Sequence, residues 1–293
     1  MGALLTKITI PFWKMHGAGN DFVVLDAISN PLPHDFDFAK AAELLCTRHF
    51  GVGSDGLLLL DRATTPDAQV RMRMWNPDGS EDMCGNGLRC VAQLAHDNDH
   101  VTSEEFITQT LAGLRSCITQ GKGQVRIEMG QPNFAFEAIP MLAIQRDGNQ
   151  QYTLTVGDRE FPNCVSLTTG STHTAIFIDE ELSESDFQKY SPLIENHTQF
   201  PERTTVLWTQ RLDDNKLRVR IWERGVGETL ACGTGACAVA VAAQTTGRAQ
   251  GAIAVQSKGG VLQIEWNAAK DEPIFMTGPT KTVFAGVLTL EVA

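Results

Sequence analysis

The sequence predicts an α+β fold with two pseudosymmetric, strand-rich domains that each wrap a helix and have the active-site cleft between them. Three features of the chain favour this class. One pattern of residues occurs twice at about half-length spacing, short segments of alternating hydrophobicity dominate, and helical segments are few. Strands that do not alternate regularly with helices are typical of α+β rather than α/β proteins.

The repeated pattern is a strand, a short turn, and a cysteine followed by glycines. Residues 70–76 read VRMRMWN and residues 217–223 read LRVRIWE, each alternating with a period of two. The first runs on to MCGNG at 83–87 and the second to ACGTG at 231–235. The cysteines lie 148 positions apart in a chain of 293 residues, so we predict two homologous halves. The alternative is a duplicated scaffold with small buried cysteines, although such residues do not need flanking glycines.

The other elements follow from the same patterns. Helices are predicted at Ala39–Arg48 and directly after Gly87 and Gly235. Alternation predicts short strands at Ile8–Trp13, Phe22–Ala27, Leu57–Asp61, Val70–Trp75, Val125–Met129, Tyr152–Val156, Asn163–Leu167, Thr174–Ile178, Leu217–Trp222, Ala252–Val255 and Leu262–Trp266.

Glycine and proline indicate where the halves meet. The first half is expected to end near Met129–Pro132, and the segment after Pro279 is expected to cross back to the first domain. The N-terminal half then comprises residues 1–130 with 279–293, and the C-terminal half residues 131–278.

Composition and charge narrow the class of protein. The chain carries 24 basic and 35 acidic residues, a net charge of −11, which argues against binding to nucleic acid or to an anionic membrane. No apolar run approaches the ~20 residues that span a bilayer. Seven cysteines, an odd number without a C-x-x-C pair, and the absence of a signal-peptide core indicate reduced thiols in the cytoplasm. A small-molecule substrate is expected.

The two cysteines stand where a thiol becomes chemically useful. The start of a helix favours negative charge, and therefore the thiolate, while the glycines let several N–H groups approach one ligand. Two such turns facing across a cleft would let Cys84 and Cys232 remove a proton from one face of a carbon and return it to the other. Amide donors would stabilise the carbanion, and excluded water would strengthen those interactions.

Other chemistries fit the residues less well. A zinc site needs closely spaced cysteine pairs or histidine partners, which the cysteine spacing does not provide. Gly17–Asp21 contains GAGND but no G-x-G-x-x-G, and neither a P-loop nor a lysine context for pyridoxal phosphate is present. We therefore expect no metal and no cofactor. A redox disulfide between Cys84 and Cys232 remains an alternative.

The chain resembles the diaminopimelate epimerase family along nearly its whole length. Long motifs in the right order carry this resemblance. They are KMHGAGNDF at 14–22, GVGSDG at 51–56, NPDGSE at 76–81, MCGNGLRC at 83–90 and ERGVGETLACGTGAC at 223–237.

The resemblance implies a cofactor-independent amino-acid racemase or epimerase that acts as a homodimer, with two domains closing over the substrate. It implies that Cys84 and Cys232 are the acid and base, and that His173 and Glu223 tune them. A structural histidine in a strand turn is the alternative for His173. The implied substrate-binding residues are Gly85, Asn86, Gly233 and Thr234 for the reacting carboxylate, Asn20 and Asn76 as further contacts, and Glu223 and Arg224 for the far end.

The chain also departs from the family pattern. Family asparagines that bind the substrate are replaced here by Ser171 and Thr205, which are shorter and lack an amide N–H₂. The loop between Glu81 and Cys84 is one residue shorter than usual. In the family the positions of Ser171 and Thr205 contact the distal amino-acid centre and not the reacting carbon, so the resemblance implies intact chemistry and leaves the identity of the distal group open.

The predicted function is therefore conversion of LL-2,6-diaminopimelate to the meso form in lysine biosynthesis by a two-base mechanism. A two-cysteine racemase of another amino acid, such as histidine or a different diamino acid, is the first alternative. A non-catalytic or redox-sensing relative with the same fold is the second.

Overall fold

A computed structural model of the chain describes residues 6–270 and 272–292. These residues divide into two compact units. Unit 1 contains the residues up to Ile127 and from Gly278 onward, and unit 2 contains Glu128–Thr277.

Unit 1 has a sheet that surrounds one buried helix. Its elements are β1 (Thr6–Gly17), β2 (Asn20–Asp26), α1 (Phe38–Cys46), β3 (Gly56–Arg62), β4 (Val70–Trp75), β5 (Glu81–Asp82), α2 (Gly85–Asp97), β6 (Glu105–Thr110), β7 (Gly113–Thr119), β8 (Gln124–Gly130), which crosses the boundary, and β18 (Lys281–Val292). The strand order is β18-β1-β2-β3-β4-β6-β7-β8, with β5 added to β4. The β2–β3 and β4–β6 pairs are parallel and the other pairs are antiparallel.

Unit 2 repeats this arrangement. Its elements are β9 (Tyr152–Val156), β10 (Arg159–Thr168), β11 (Thr172–Ile178), α3 (Glu184–Glu195), β12 (Thr205–Asp213), β13 (Lys216–Glu223), β14 (Gly227–Thr229), α4 (Gly233–Thr245), β15 (Ile253–Ser257), β16 (Gly260–Glu265), a 3₁₀ turn (Ala268–Lys270) and β17 (Ile274–Pro279), which crosses the boundary. The order is β9-β10-β11-β12-β13-β15-β16-β17, with β14 added to β13. The parallel pairs are β11–β12 and β13–β15, at the same two places as in unit 1.

The duplication extends to the pairing of individual residues. Leu57 of β3 pairs with Trp75 of β4, and Val206 of β12 pairs with Trp222 of β13. The predicted α+β class with two similar, strand-rich units is therefore confirmed.

The central helices α2 and α4 are largely buried, with ten of the 13 residues buried in each. α4 is apolar along most of its length, as expected for a helix that packs on all sides, whereas α2 keeps the polar Gln93, His96 and Asp97 at its less buried positions. α2 packs against β1–β4 and β7, whereas α4 packs against β10–β13, β15 and β16. Among the described residues, no helix is long and apolar enough to cross a membrane.

The predicted helix starts were slightly wrong. The helices were expected after Gly87 and Gly235, but they begin at Gly85 and Gly233. The glycines therefore lie inside the first turn. Their missing side chains allow close packing: a Cβ at Gly87 would lie 2.9 Å from Leu58 Cδ2, and a Cβ at Gly235 would lie 3.0 Å from Leu207 Cδ2.

A buried carboxylate fixes the far end of α2. Asp26 Oδ2 accepts hydrogen bonds from His100 Nε2 at 2.7 Å and from Asn98 Nδ2, at the C-cap of the helix, at 3.0 Å. Its Oδ1 accepts from the backbone N–H of Ser29 at 3.1 Å. Burial raises the pKa of Asp26, but the hydrogen bonds from His100, Ser29 and Asn98 together outweigh it and lower the pKa below 3.8.

We expect Asp26→Asn to lower the free energy of unfolding by about 1.5–3 kcal/mol at neutral pH, the usual contribution of hydrogen bonds to a charged group. Because the folded-state pKa is lowered, this contribution is present above the unfolded pKa and is lost as pH falls through the folded pKa. Urea denaturation at pH 7 and at lower pH measures it. The difference between wild type and variant should shrink below pH 3.8, while the exposed Asp35→Asn serves as control. A difference that does not depend on pH would contradict the assignment.

Candidate active site

Cys84 is the N-cap of α2 in unit 1. Its backbone is extended, with φ −133° and ψ 126°, and its carbonyl accepts the N–H of Leu88 at 2.8 Å. The sulfur is partly buried and lies 3.4 Å from Asn20 Oδ1, which accepts the hydrogen bond. Cys84 is therefore arranged as a thiol that donates its proton to an amide oxygen.

A chain of hydrogen bonds fixes the orientation of that amide. Asn20 Nδ2 donates to Asp55 Oδ2 at 2.8 Å, so Asn20 Oδ1 must face the other way. The same Oδ1 accepts from Asn86 Nδ2 at 3.2 Å. Asn86 Oδ1 in turn accepts from Arg89 Nη2 at 2.7 Å. The acceptor next to the Cys84 sulfur is thus held in place from both ends.

Asp55 and Arg89 are the site residues that the sequence interpretation missed. Arg89 is fully buried, between the apolar neighbours Leu88 and Cys90, and a charged side chain at such a position is rare without a specific partner. An arginine between apolar residues of a predicted helix could therefore have indicated a buried polar contact. Asp55 lies in a motif that carried the resemblance, but its contact with Asn20 joins residues 35 positions apart.

Cys232 is the N-cap of α4 in unit 2, with nearly the same backbone, φ −135° and ψ 113°. It is 9% exposed. Its sulfur accepts the backbone N–H of Gly235 at 3.4 Å and lies 3.4 Å from the hydroxyl of Thr234. The carbonyl of Thr234 is held by the hydroxyl of Thr169 at 2.8 Å. The two cysteines thus cap equivalent helices. Cys84 donates a hydrogen bond to Asn20 Oδ1, whereas Cys232 accepts one from the N–H of Gly235.

Other cysteines lie in surroundings that suppress reactivity. Burial raises the pKa of Cys90 and of Cys164 to about 12. Burial also raises the pKa of Cys46 above its usual value. A thiol with a raised pKa is a poor nucleophile and a poor base near neutral pH, so these three are structural.

His173 is buried in the strand next to Thr205, with which it pairs across the parallel β11–β12 ladder. Burial, and to a smaller extent the charge of Arg224, lowers the pKa of His173 to about 3. The imidazole is therefore neutral. Neither ring nitrogen has a hydrogen-bond partner among the described residues, and the corresponding register position of unit 1 holds the apolar Phe22.

Glu223 is the last residue of β13, and Arg224 follows it in a tight turn. The N–H of Val226 donates to the carbonyl of Glu223 at 3.0 Å, and Gly225 has φ +77°, a value that favours glycine. The N–H of Arg224 donates to the hydroxyl of Thr205 at 3.1 Å. Thr205 therefore holds the turn, in addition to whatever it contributes to binding.

The remaining predicted residues occupy loops. Arg224 Nη1 lies 3.4 Å from the hydroxyl of Thr172, next to the partly buried Ser171. Asn76 donates from Nδ2 to Ser80 Oγ at 3.1 Å and forms a local turn. Its hydrogen bonds therefore lie within that turn and not with the Cys84 cluster.

Each unit therefore offers one cysteine next to the backbone amides at the start of its central helix. Gly85 and Asn86 begin α2, and Gly233 and Thr234 begin α4. Such N–H groups bind carboxylates. In the part of the chain that the structure describes, no group of three or more His, Cys, Asp or Glu side chains could hold a metal ion.

Two units with the same strand order, each with a cysteine capping its central helix, define the class of duplicated α+β folds. A hydroxyproline epimerase from Agrobacterium vitis has this fold, with a TM-score of 0.65 at 13% identity over 97% of this chain and 93% of that one. So does a methylitaconate-delta-isomerase, with a TM-score of 0.61 at 13% identity over 97% and 96%. These similarities concern the fold.

Sequence comparison identifies the particular family. The profile described as diaminopimelate epimerase matches residues 12–135 and 165–283. A diaminopimelate epimerase of Moorella thermoacetica is 41% identical over 96% of this chain and 99% of its own length. One from Acinetobacter baumannii strain AYE is 40% identical over 96% and 98%. The chain belongs to the diaminopimelate epimerase family, and it is an isomerase.

Proposed function

We propose that this protein interconverts LL-2,6-diaminopimelate and meso-2,6-diaminopimelate in the cytoplasm, as a step of lysine biosynthesis. Relatives of that name at about 40% identity support the substrate. The observation that carries the chemistry is that Cys84 and Cys232 cap equivalent helices in two equivalent units. By the same family resemblance the protein would be a homodimer.

The reaction removes the α-proton from one face of the carbon to one sulfur and adds a proton from the other sulfur to the opposite face. A thiolate takes the proton from the α-carbon, which becomes a carbanion, and the thiol on the opposite face donates its own proton to that carbon. No atom is gained or lost, and the two cysteines exchange protonation states. The N–H groups of Gly85, Asn86, Gly233 and Thr234 stabilise the carboxylate as it gains enolate character.

The hydrogen bonds of the two sulfurs suggest where the protons start. Asn20 Oδ1 is an acceptor and favours a protonated Cys84, whereas the N–H of Gly235 is a donor and favours an ionised Cys232. We therefore assign the resting enzyme a thiol at Cys84 and a thiolate at Cys232. The family resemblance gives His173 a role in tuning the sulfurs, and because the buried imidazole is neutral it would do so without adding a charge.

The far end of the substrate is assigned to Glu223 and Arg224. The carboxylate would bind the distal ammonium group and the guanidinium the distal carboxylate, a pairing suited to a second amino-acid centre. Asn20, Asn76, Ser171 and Thr205 are the further contacts. The Thr205 hydroxyl already accepts the N–H of Arg224, which leaves its own O–H as the donor to a substrate.

The test is turnover of LL-diaminopimelate in D₂O with a reductant present. We expect the meso isomer to form with deuterium at one α-carbon, and no exchange with monoamino acids. A panel containing histidine and other diamino acids serves as the comparison. If only another amino acid exchanged its α-proton, the two-base mechanism would stand and the substrate would be that amino acid. Ser171 and Thr205, which replace family asparagines, would account for the change of substrate. Exchange with none of them would overturn the enzymatic proposal.

A further inference from the structure

The carboxylate of Glu195 is buried behind the turn that carries Glu223 and Arg224. Its side chain is 8% exposed. Oε1 accepts the backbone N–H of Gly225 at 2.7 Å, and Oε2 accepts the indole N–H of Trp222 at 2.7 Å. One carboxylate therefore holds both the strand that leads into the turn and the turn itself.

Glu195 also holds the segment that leads into β12. Arg203 Nη1 lies 3.4 Å from Oε1, and the N–H of Thr204 donates to the Glu195 carbonyl at 3.2 Å. The next residue, Thr205, accepts the N–H of Arg224. The two segments that surround the Arg224 backbone are thus tied to the same glutamate.

A buried glutamate at position 195 does not stabilise α3. Glu195 is the last residue of the helix, where the macrodipole disfavours a negative charge. Burying a carboxylate also costs free energy unless several donors compensate for it. Its side-chain donors come from β13, the turn after it, and the segment before β12, so the carboxylate is arranged to hold that turn.

We infer that Glu195 is a positioning residue that fixes the Glu223–Arg224 pair for recognition of the distal group of the substrate. The inference rests on the proposed function for the role of that pair. Thr205 accepts the N–H of Arg224, and Glu195 accepts the N–H of Gly225. The N–H of Val226 donates to the carbonyl of Glu223 and closes the turn. Because each amide has an acceptor, the two charged side chains project from a fixed backbone.

Glu195→Gln tests the inference with little change in shape. Both carboxylate oxygens accept N–H donors, so the glutamine amide must place its own N–H₂ against one of them. We expect KM for LL-diaminopimelate to rise about 10- to 100-fold while kcat changes by less than about threefold, because recognition and not proton transfer is impaired. Amide hydrogen exchange of residues 224–226 should become faster.

Two variants keep the result interpretable. Trp222→Phe removes one donor to the same carboxylate and should raise KM less than Glu195→Gln does. Glu184→Gln makes the same chemical change on the same helix at a carboxylate that is 68% exposed, and it should leave KM and exchange at wild-type values.

An unchanged KM, or a loss of kcat that follows the loss of thermal stability, would overturn the inference. A wild-type protein without activity on diaminopimelate would overturn the proposed function instead. Amide exchange would still report in that case whether Glu195 holds the turn.

Discussion

Replacing Cys84 or Cys232 with alanine is expected to lower the turnover of LL-diaminopimelate by about 10²–10⁴-fold, the range that a single acid or base contributes. Each variant lacks one of the two groups that must act on opposite faces of the carbon. Loss of either thiol should therefore stop inversion in both directions. Steady-state conversion followed by chiral chromatography measures it.

Exchange with solvent separates this mechanism from simple loss of structure. A variant that keeps one thiol can still remove the α-proton from the face which that thiol reaches. Each alanine variant should therefore retain slow deuterium exchange with one stereoisomer only, and the two variants should differ in which one. The buried Cys90→Ala serves as control and should retain turnover, with a stability cost of about 1 kcal/mol. Full inversion by either Cys84→Ala or Cys232→Ala would contradict the two-base proposal.

The repeated strands could be predicted from the sequence because a half-buried strand imposes strict alternation. The predicted Val70–Trp75 coincides with β4, and the predicted Leu217–Trp222 lies inside β13. β18 was not predicted as a strand because its residues are largely exposed. Burial on one face is what imposes alternation, so an exposed strand shows little of it.

The helix α3 was missed although its signal is present. Buried residues occur at Phe187, Tyr190, Ser191 and Ile194, which is the spacing of one helical face, and Ser183 caps the helix by accepting the N–H of Asp186. Its low overall hydrophobicity and the internal Pro192 obscured this pattern. Proline within a helix usually indicates its end.

The candidate site shows a similar division. Cys84 and Cys232 could be found because the glycines around them are informative on their own. Asp55, Arg89 and Glu195 could not be assigned roles, because each acts through a second residue and contacts such as Asp55–Asn20 and Glu195–Gly225 join distant parts of the chain. Residues that react with the substrate are thus easier to find from sequence patterns than residues that only orient them.

The glycine three residues after each cysteine provides the second prediction of large effect. A Cβ at Gly235 would lie 3.0 Å from Leu207 Cδ2 and 3.3 Å from the Cys232 sulfur. Contacts below about 3.4 Å force a shift, and the sulfur lies at the start of the helix that would move. We expect Gly235→Ala to reduce kcat moderately and Gly235→Val to reduce it about 10²-fold, the cost of misplacing a catalytic group by about 1 Å.

Steric displacement predicts a graded effect that can be rescued. Shortening the neighbour with Leu207→Val should restore part of the activity of Gly235→Ala, since it removes the nearer of the two contacts. Gly148→Val is the matched control, because a Cβ at Gly148 meets no atom within 4 Å, and it should behave as wild type. If Gly235→Val kept the wild-type kcat, the close approach of the helix to β12 would not be what places the Cys232 sulfur. The glycines would then serve the carboxylate-binding amides alone, and the loss should appear in KM.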